Sequence, residues 1–98
     1  MLEPMKPIPE LQRVVCAAIR HKQTQLVLCG ARHFDYIMLN HISETELEGW
    51  ADADQGFIDQ WGNFLTRQEA YIIAERQGQL TAQGAPHTKG ILYSEDLY

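Results

Sequence analysis

Two arginines stand where an arginine costs stability. Arg32 lies just ahead of one segment with helical spacing, and Arg67 opens a second. A helix N-terminus carries about half a positive charge, so a cation there forfeits on the order of 0.3–1 kcal/mol. The same position offers free N–H groups, and a guanidinium beside them makes a phosphate site. The expected chemistry is anion capture, with Arg32 and Arg67 on phosphate oxygens. The competing reading pairs each with a surface carboxylate, for instance Arg67 with Asp59 across a turn. Gly30-Ala31-Arg32-His33 joins an apolar run to a helical one. Such strand-to-helix turns point their amides outward, although one glycine is far short of a glycine-rich loop. His33 can donate to the same anion or stand as a partly exposed histidine. His41 falls on apolar spacing, which suits a core histidine bonded to a carbonyl.

Aromatic residues gather around the second arginine: Phe57, Trp61, Phe64 and Tyr71. Rings stack on nucleobases at about 1–3 kcal/mol per base. They also fill small cores, and Phe57 and Phe64 suit either use. Asn63 offers a donor and an acceptor to a ribose or a base edge, or it makes the turn after Gly62. No catalytic constellation stands out. Ser94 lacks a nucleophile elbow, and neither Cys16 nor Cys29 has a His partner nearby in sequence. The carboxylate pairs Asp52/Asp54 and Glu95/Asp96 show no sign of burial, so no tuned acid–base pair is expected. No His or Cys spacing suggests a metal. The expectation is a binding protein, not an enzyme, with no cofactor.

The elements that must position these residues can be read in order. Residues 1–10 contain Pro4, Pro7 and Pro9 and form an extended arm. One domain spans residues 11–98. Arg13–Arg20 (RVVCAAIR) and Gln25–Ala31 (QLVLCGA) read as strands, and the turn His21–Thr24 between them makes an antiparallel hairpin. Phe34, Ile37, Met38, His41 and Ile42 fall at i, i+3, i+4, i+7 and i+8, one face of a helix. Ser43–Gln55 is acidic and reads as a solvated loop or a frayed extension of that helix, packing Trp50. Gly56–Leu65 folds back as a tight hairpin. Thr66-Arg67-Gln68-Glu69 is a capping box, with Leu65 and Ala70 at the staple positions. The helix then runs from Arg67 to Gln77, and Gly78 stops it. Gln79–Gly90 reads as a loop. ILYSEDLY packs back, with Ser94 capping a last turn. The fold class is α+β: a small antiparallel sheet packed with two α-helices.

Composition bounds the partners. The chain has 98 residues and a formal net charge of −5. One domain fits, its core is thin, and self-association would bury more surface. The acidic balance opposes binding to a nucleic-acid polymer, which wants a basic face. It leaves room for a small anion on a few local donors. Two cysteines in apolar runs suit buried thiols in a reducing compartment, with a cross-strand disulfide or a paired metal site as the alternative. No signal peptide and no apolar run of ~20 residues appears, so a cytoplasmic location and no membrane are expected.

The segments VVCAAIR, LCGARHFDYIM, GFIDQWGNFLTRQEAYIIAERQGQL and LYSEDLY together resemble the Thoeris anti-defence protein 1 family, from Arg13 to Tyr98. What the resemblance implies is a phage sponge inside an infected bacterial host. It would sequester a cyclic ADP-ribose isomer without cleaving it, and in some relatives cyclic di- or trinucleotides as well. It implies a homodimer or hexamer. It also implies ligand contacts at Arg32 and His33 of GARHFD, at Asn63, Phe64 and Arg67 of GNFLTR, and at Phe57. A different class of function is an inhibitor that binds a host or CRISPR protein directly. Its acidic stretch from Glu44 to Asp54 would then mimic nucleic acid.

Overall fold

The computed structural model describes residues 8, 10–80 and 90–97, without the side chain of Glu95. Most of the expected arm and most of the expected Gln79–Gly90 loop lie outside those residues. The chain forms β1 (Val14–Arg20), β2 (Val27–Gly30), α1 (Tyr36–Thr45), β3 (Asp54–Asp59), β4 (Phe64–Thr66) and α2 (Arg67–Arg76). Short 3-10 turns at Trp50–Asp52 and Ser94–Asp96 complete it. The sheet order is β2-β1-β3-β4, and each neighbouring pair is antiparallel. This is the expected α+β class.

Register separates the two faces. Gly30, Ala17, Phe57 and Leu65 stand side by side across the four strands. The β1–β3 register slips between Val14 and Cys16, and this bulge keeps Val14 on the face of Ala17 and Ile19. Val14, Ala17, Phe57 and Leu65 pack under Ala70, Ile73 and Ala74 of α2 and under Leu92. Ile19 packs with Met38, Trp50 and Ala53 beneath α1. Both helices therefore cover one face. The other face carries Cys16, Ala18, Arg20, Cys29, Gly56, Ile58 and Phe64, alternating with the first set. Its thiols are free and half-buried, not fully buried as the sequence suggests. Burial, and then Cys29 alongside, push the Cys16 thiol up to about 11, so it stays protonated at neutral pH.

Local chemistry explains where the elements begin and end. The α2 start is as expected: Thr66 Oγ1 accepts from Glu69 N at 3.1 Å, and Glu69 Oε1 accepts from Thr66 N at 2.9 Å. The helix ends at Arg76, one residue short of the expectation, before Gly78 at φ +67°. The start of α1 differs. Asp35 is the N-cap, its Oδ1 accepting from Met38 N at 2.8 Å. Phe34 has φ +56° and stands outside the helix. The helical phase is thus set by Asp35. Met38 is buried and Ile42 half-buried, while Ile37 and His41 face outward. His41 is therefore not the core histidine its spacing suggests.

That part belongs to His21, which the sequence placed in a polar turn. His21 is 2% exposed, and its ring meets Trp50 edge-on at 5.0 Å. Its Nε2 donates to the Glu48 carbonyl at 2.6 Å, while Nδ1 accepts from the Gln23 and Thr24 amides. That pattern assigns the ring proton to Nε2. Gln25 at φ +65° bonds back to His21, which keeps Gln25 and Leu26 out of β2. Asp54 and Gln55 lie in β3 and not in the acidic loop. Among the described residues no helix is long and apolar enough to cross a membrane.

Candidate functional site

Arg32 and His33 occupy the β2–α1 junction. Asp35 holds that junction by accepting from the Arg32 amide at 3.0 Å. Hydrogen bonds from Arg32 and then Met38 hold the Asp35 carboxyl below its ordinary value. His33 reaches over the sheet. Its Nε2 donates to the Gly56 carbonyl at 2.6 Å, and its ring meets Phe57 edge-on at 5.2 Å. Arg32 Nη1 donates to Ser94 Oγ at 3.4 Å.

Arg67 approaches the same place from the start of α2. Its Nη2 donates to Gln55 Oε1 at 3.0 Å, and its guanidinium lies 5.0 Å from the centre of the Tyr93 ring. Its carbonyl accepts from Leu92 N at 3.0 Å. The chain segment Leu92–Ser94 therefore runs between the two helix starts. Arg67 meets it at Leu92 and Tyr93, and Arg32 meets it at Ser94. Ser94 does not cap the last turn as its sequence suggests. It is 3% exposed and serves Arg32, while Asp96 accepts from Tyr93 N. Asp96 is itself buried, against the expectation for the terminal carboxylates.

Arg67 also borders an open cleft of about 350 Å³ at the end of β3 and β4. It is lined by Arg20, Asp54, Gln55, Phe64, Thr66, Arg67 and Gln68. The Arg20 guanidinium lies 4.4 Å from the Phe64 ring centre, a cation–π contact. Gly56 makes room for that meeting: a Cβ there would strike the Leu65 carbonyl and come within 2.7 Å of the Phe64 ring. Arg20 also donates to Asp54 at 3.4 Å, and Lys22 stands 3.8 Å from the same carboxylate. The Nε atoms of Arg20 and Arg67 are buried and have no hydrogen-bond partner among the described residues. A buried donor left unmade costs about 1–3 kcal/mol, and more when charged.

The remaining sequence candidates are placed elsewhere. Phe57 is fully buried in the α2 cluster and has no surface to offer a ligand. Asn63 holds the β3–β4 turn, donating Nδ2 to Asp59 Oδ2 at 3.0 Å and its amide to Oδ1 at 2.9 Å. That turn is at the opposite end of the hairpin from Arg67. Asp59 accepts from Trp61 N and Gln12 Nε2 as well, so it belongs to the turn and does not pair with Arg67. Burial alone would raise its carboxyl. Hydrogen bonds from Asn63, Gln12 and Trp61 together outweigh burial and lower it. Arg32 and Arg67 thus meet one chain segment, at Ser94 and at Tyr93, His33 bonds to the Gly56 carbonyl, Phe64 and Arg67 border one cleft, and Phe57 and Asn63 have structural positions. Sequence reading missed Arg20, Gln55 and Tyr93. Only alternation along β1, which puts Arg20 on the face of Ala18, could have pointed to the first. Among the described residues no group of three His, Cys, Asp or Glu side chains could hold a metal ion.

The fold is a small α+β domain of net charge −5 in which Arg20 and Arg67 border one open cleft. The chain matches the phage T4 y16D protein family over residues 13–98 and belongs to that family. The matched span contains every strand and helix of the fold. None of the curated proteins and none of the solved structures matches.

Proposed function

We propose that this phage protein binds a cyclic nucleotide immune signal and sequesters it without cleaving it. Its ligand is a cyclic ADP-ribose isomer or a cyclic di- or trinucleotide, and its role is anti-defence in the bacterial cytoplasm. One observation carries the reading. In a chain of net charge −5, Arg32 and Arg67, from two separate strand–helix junctions, meet one chain segment at Ser94 and at Tyr93, and Arg67 borders an open cleft. Guanidinium groups at helix starts lose stability and recognise phosphate well. The proposal includes assembly as a homodimer or hexamer.

The test is calorimetric titration with cyclic ADP-ribose isomers and a panel of cyclic di- and trinucleotides, followed by heat denaturation and chromatography of the released ligand. Tight binding, with the ligand returned intact, is the expected result. No heat with any of them removes the reading, and a converted ligand makes the protein an enzyme. Sedimentation of the same sample reads the number of chains per particle.

A second reading has its own observation. Tyr36, Ile37 and Leu39 of α1 are exposed at 78%, 52% and 51%, beside exposed Glu44, Glu46, Glu48 and Asp52. An apolar helix face flanked by carboxylates suits direct binding to a basic host protein. Neutralising the four carboxylates abolishes function under this reading and leaves it intact under the first.

A further inference from the structure

We propose that the cleft beside Arg67 is a two-arginine clamp for the phosphate of a single nucleotide unit, with Arg20 as its second guanidinium. The inference deepens the reading of the protein as a nucleotide binder and rests on it. Three independent features of the cleft converge on this ligand.

The first is the pair of guanidinium groups. Arg20 arrives from β1 and Arg67 from the start of α2, and both border one space. Each has a buried Nε without a partner among the described residues. A phosphate brings several acceptor oxygens, enough to serve two guanidinium groups at once. A carboxylate brings fewer, and the hydroxyls of a sugar carry no charge.

The second is the stacked plane. Phe64 supports the Arg20 guanidinium from one side at 4.4 Å, over the gap left by Gly56. A supported guanidinium is held flat and presents its other face as a stacking surface. Arginine planes accept nucleobases in this way. Asp54 steadies the same group through Nη2. The Arg20 side chain stays 32% exposed, so the plane is reachable.

The third is size. At about 350 Å³ the cleft lies near the lower end of small-molecule sites, which run roughly 300–1,000 Å³. That space takes one nucleotide unit, not a whole cyclic dinucleotide. Asp54 adds a prediction of sign. Its carboxylate competes with the phosphate for Arg20, so removing its charge should tighten binding.

The experiment uses the full chain with inorganic pyrophosphate and ADP as probes. Arginine Nε–H signals are followed in ¹⁵N spectra, and affinities are measured by calorimetry. The clamp predicts that both probes move the Nε–H signals of Arg20 and Arg67 together. It predicts that Arg20→Gln weakens ADP about tenfold or more, that Asp54→Asn tightens it several-fold, and that both variants keep the wild-type backbone spectrum. Silent Nε–H signals in the wild type overturn the clamp whatever the variants do. So does ADP binding that Arg20→Gln leaves unchanged. The cyclic nucleotide panel reads the sponge separately. If a cyclic nucleotide binds and Arg32→Ala removes it while the Arg20 and Arg67 Nε–H signals stay still, the sponge stands and the clamp falls. If the probes move both signals but no cyclic nucleotide binds, the clamp stands and the sponge falls.

Discussion

Helices α1 and α2 have equal lengths of ten residues and sit on the same face of one sheet, yet they are held in different ways. Helix α2 buries Ala70, Ile73 and Ala74 against a cluster that draws on β1, β3, β4 and Leu92. Helix α1 buries Met38 alone and turns Tyr36, Ile37 and Leu39 to solvent. What α1 lacks in packing it makes up at its first turn, where Asp35 binds the Arg32 and Met38 amides. Arg67 rides on an element fixed by its core, whereas Arg32 and His33 ride on one fixed by a cap and a carbonyl contact. The expectation is that α1 opens more readily than α2.

The largest test of this contrast is in the two cores. Phe57→Ala should cost about 3–5 kcal/mol, and Met38→Ala should fall near the lower end of about 2–5 kcal/mol. Urea unfolding measures both, and equal losses would erase the distinction. Next comes the Asp59 turn, which belongs to the α2 side. Asp59→Ala leaves donors of Asn63 and Trp61 without an acceptor, at about 1–3 kcal/mol. The pH dependence has a definite sign. The folded carboxyl is held below its ordinary 3.8, so its contribution is present above that value and lost as pH falls through the folded value. Wild-type stability should therefore decline below about pH 4, and Asp59→Asn should flatten that limb. Hydrogen exchange gives a smaller effect. Amides of α1 should open about tenfold more often than those of α2, roughly 1.4 kcal/mol. Matching protection in the two helices would contradict that difference. The smallest effect is at the caps. Thr66→Ala should cost about 1 kcal/mol, and Asp35→Ala somewhat more, because Asp35 serves two amides.

The same contrast explains what could be read from the chain. The α2 start was legible because a capping box is a local code: Thr66 and Glu69 satisfy each other within four residues. The β1–β2 and β3–β4 hairpins were legible for the same reason, since short turns leave apolar runs only one way to meet. The phase of α1 was not. Apolar spacing admits Phe34 to the stripe, but Asp35 takes the cap and turns Ile37 and His41 outward. His21 was hidden inside the polar run HKQT, because its partners at Glu48 and Trp50 are far along the chain. Of the candidate residues, the odd placement of Arg32 and Arg67 was visible, but their contacts with Ser94 and Tyr93 of one returning segment were not. Arg20 looked like the charged end of a strand, and only the neighbouring Gly56 and Phe64 give it a role.

The placement of Leu92 sets an order of events during synthesis. Chains leave the ribosome N-terminus first. The β1–β2 hairpin and α1 have all their own residues early. The α2 cluster does not: it joins Val14, near the start, to Leu92, which emerges nearly eighty residues later. Leu92 also bonds to the Arg67 carbonyl and leads into the Tyr93–Ser94 step. The α2 cluster therefore closes only after Leu92 has emerged. A shorter nascent chain has both Arg32 and Arg67 but not the Tyr93–Ser94 step that each of them meets.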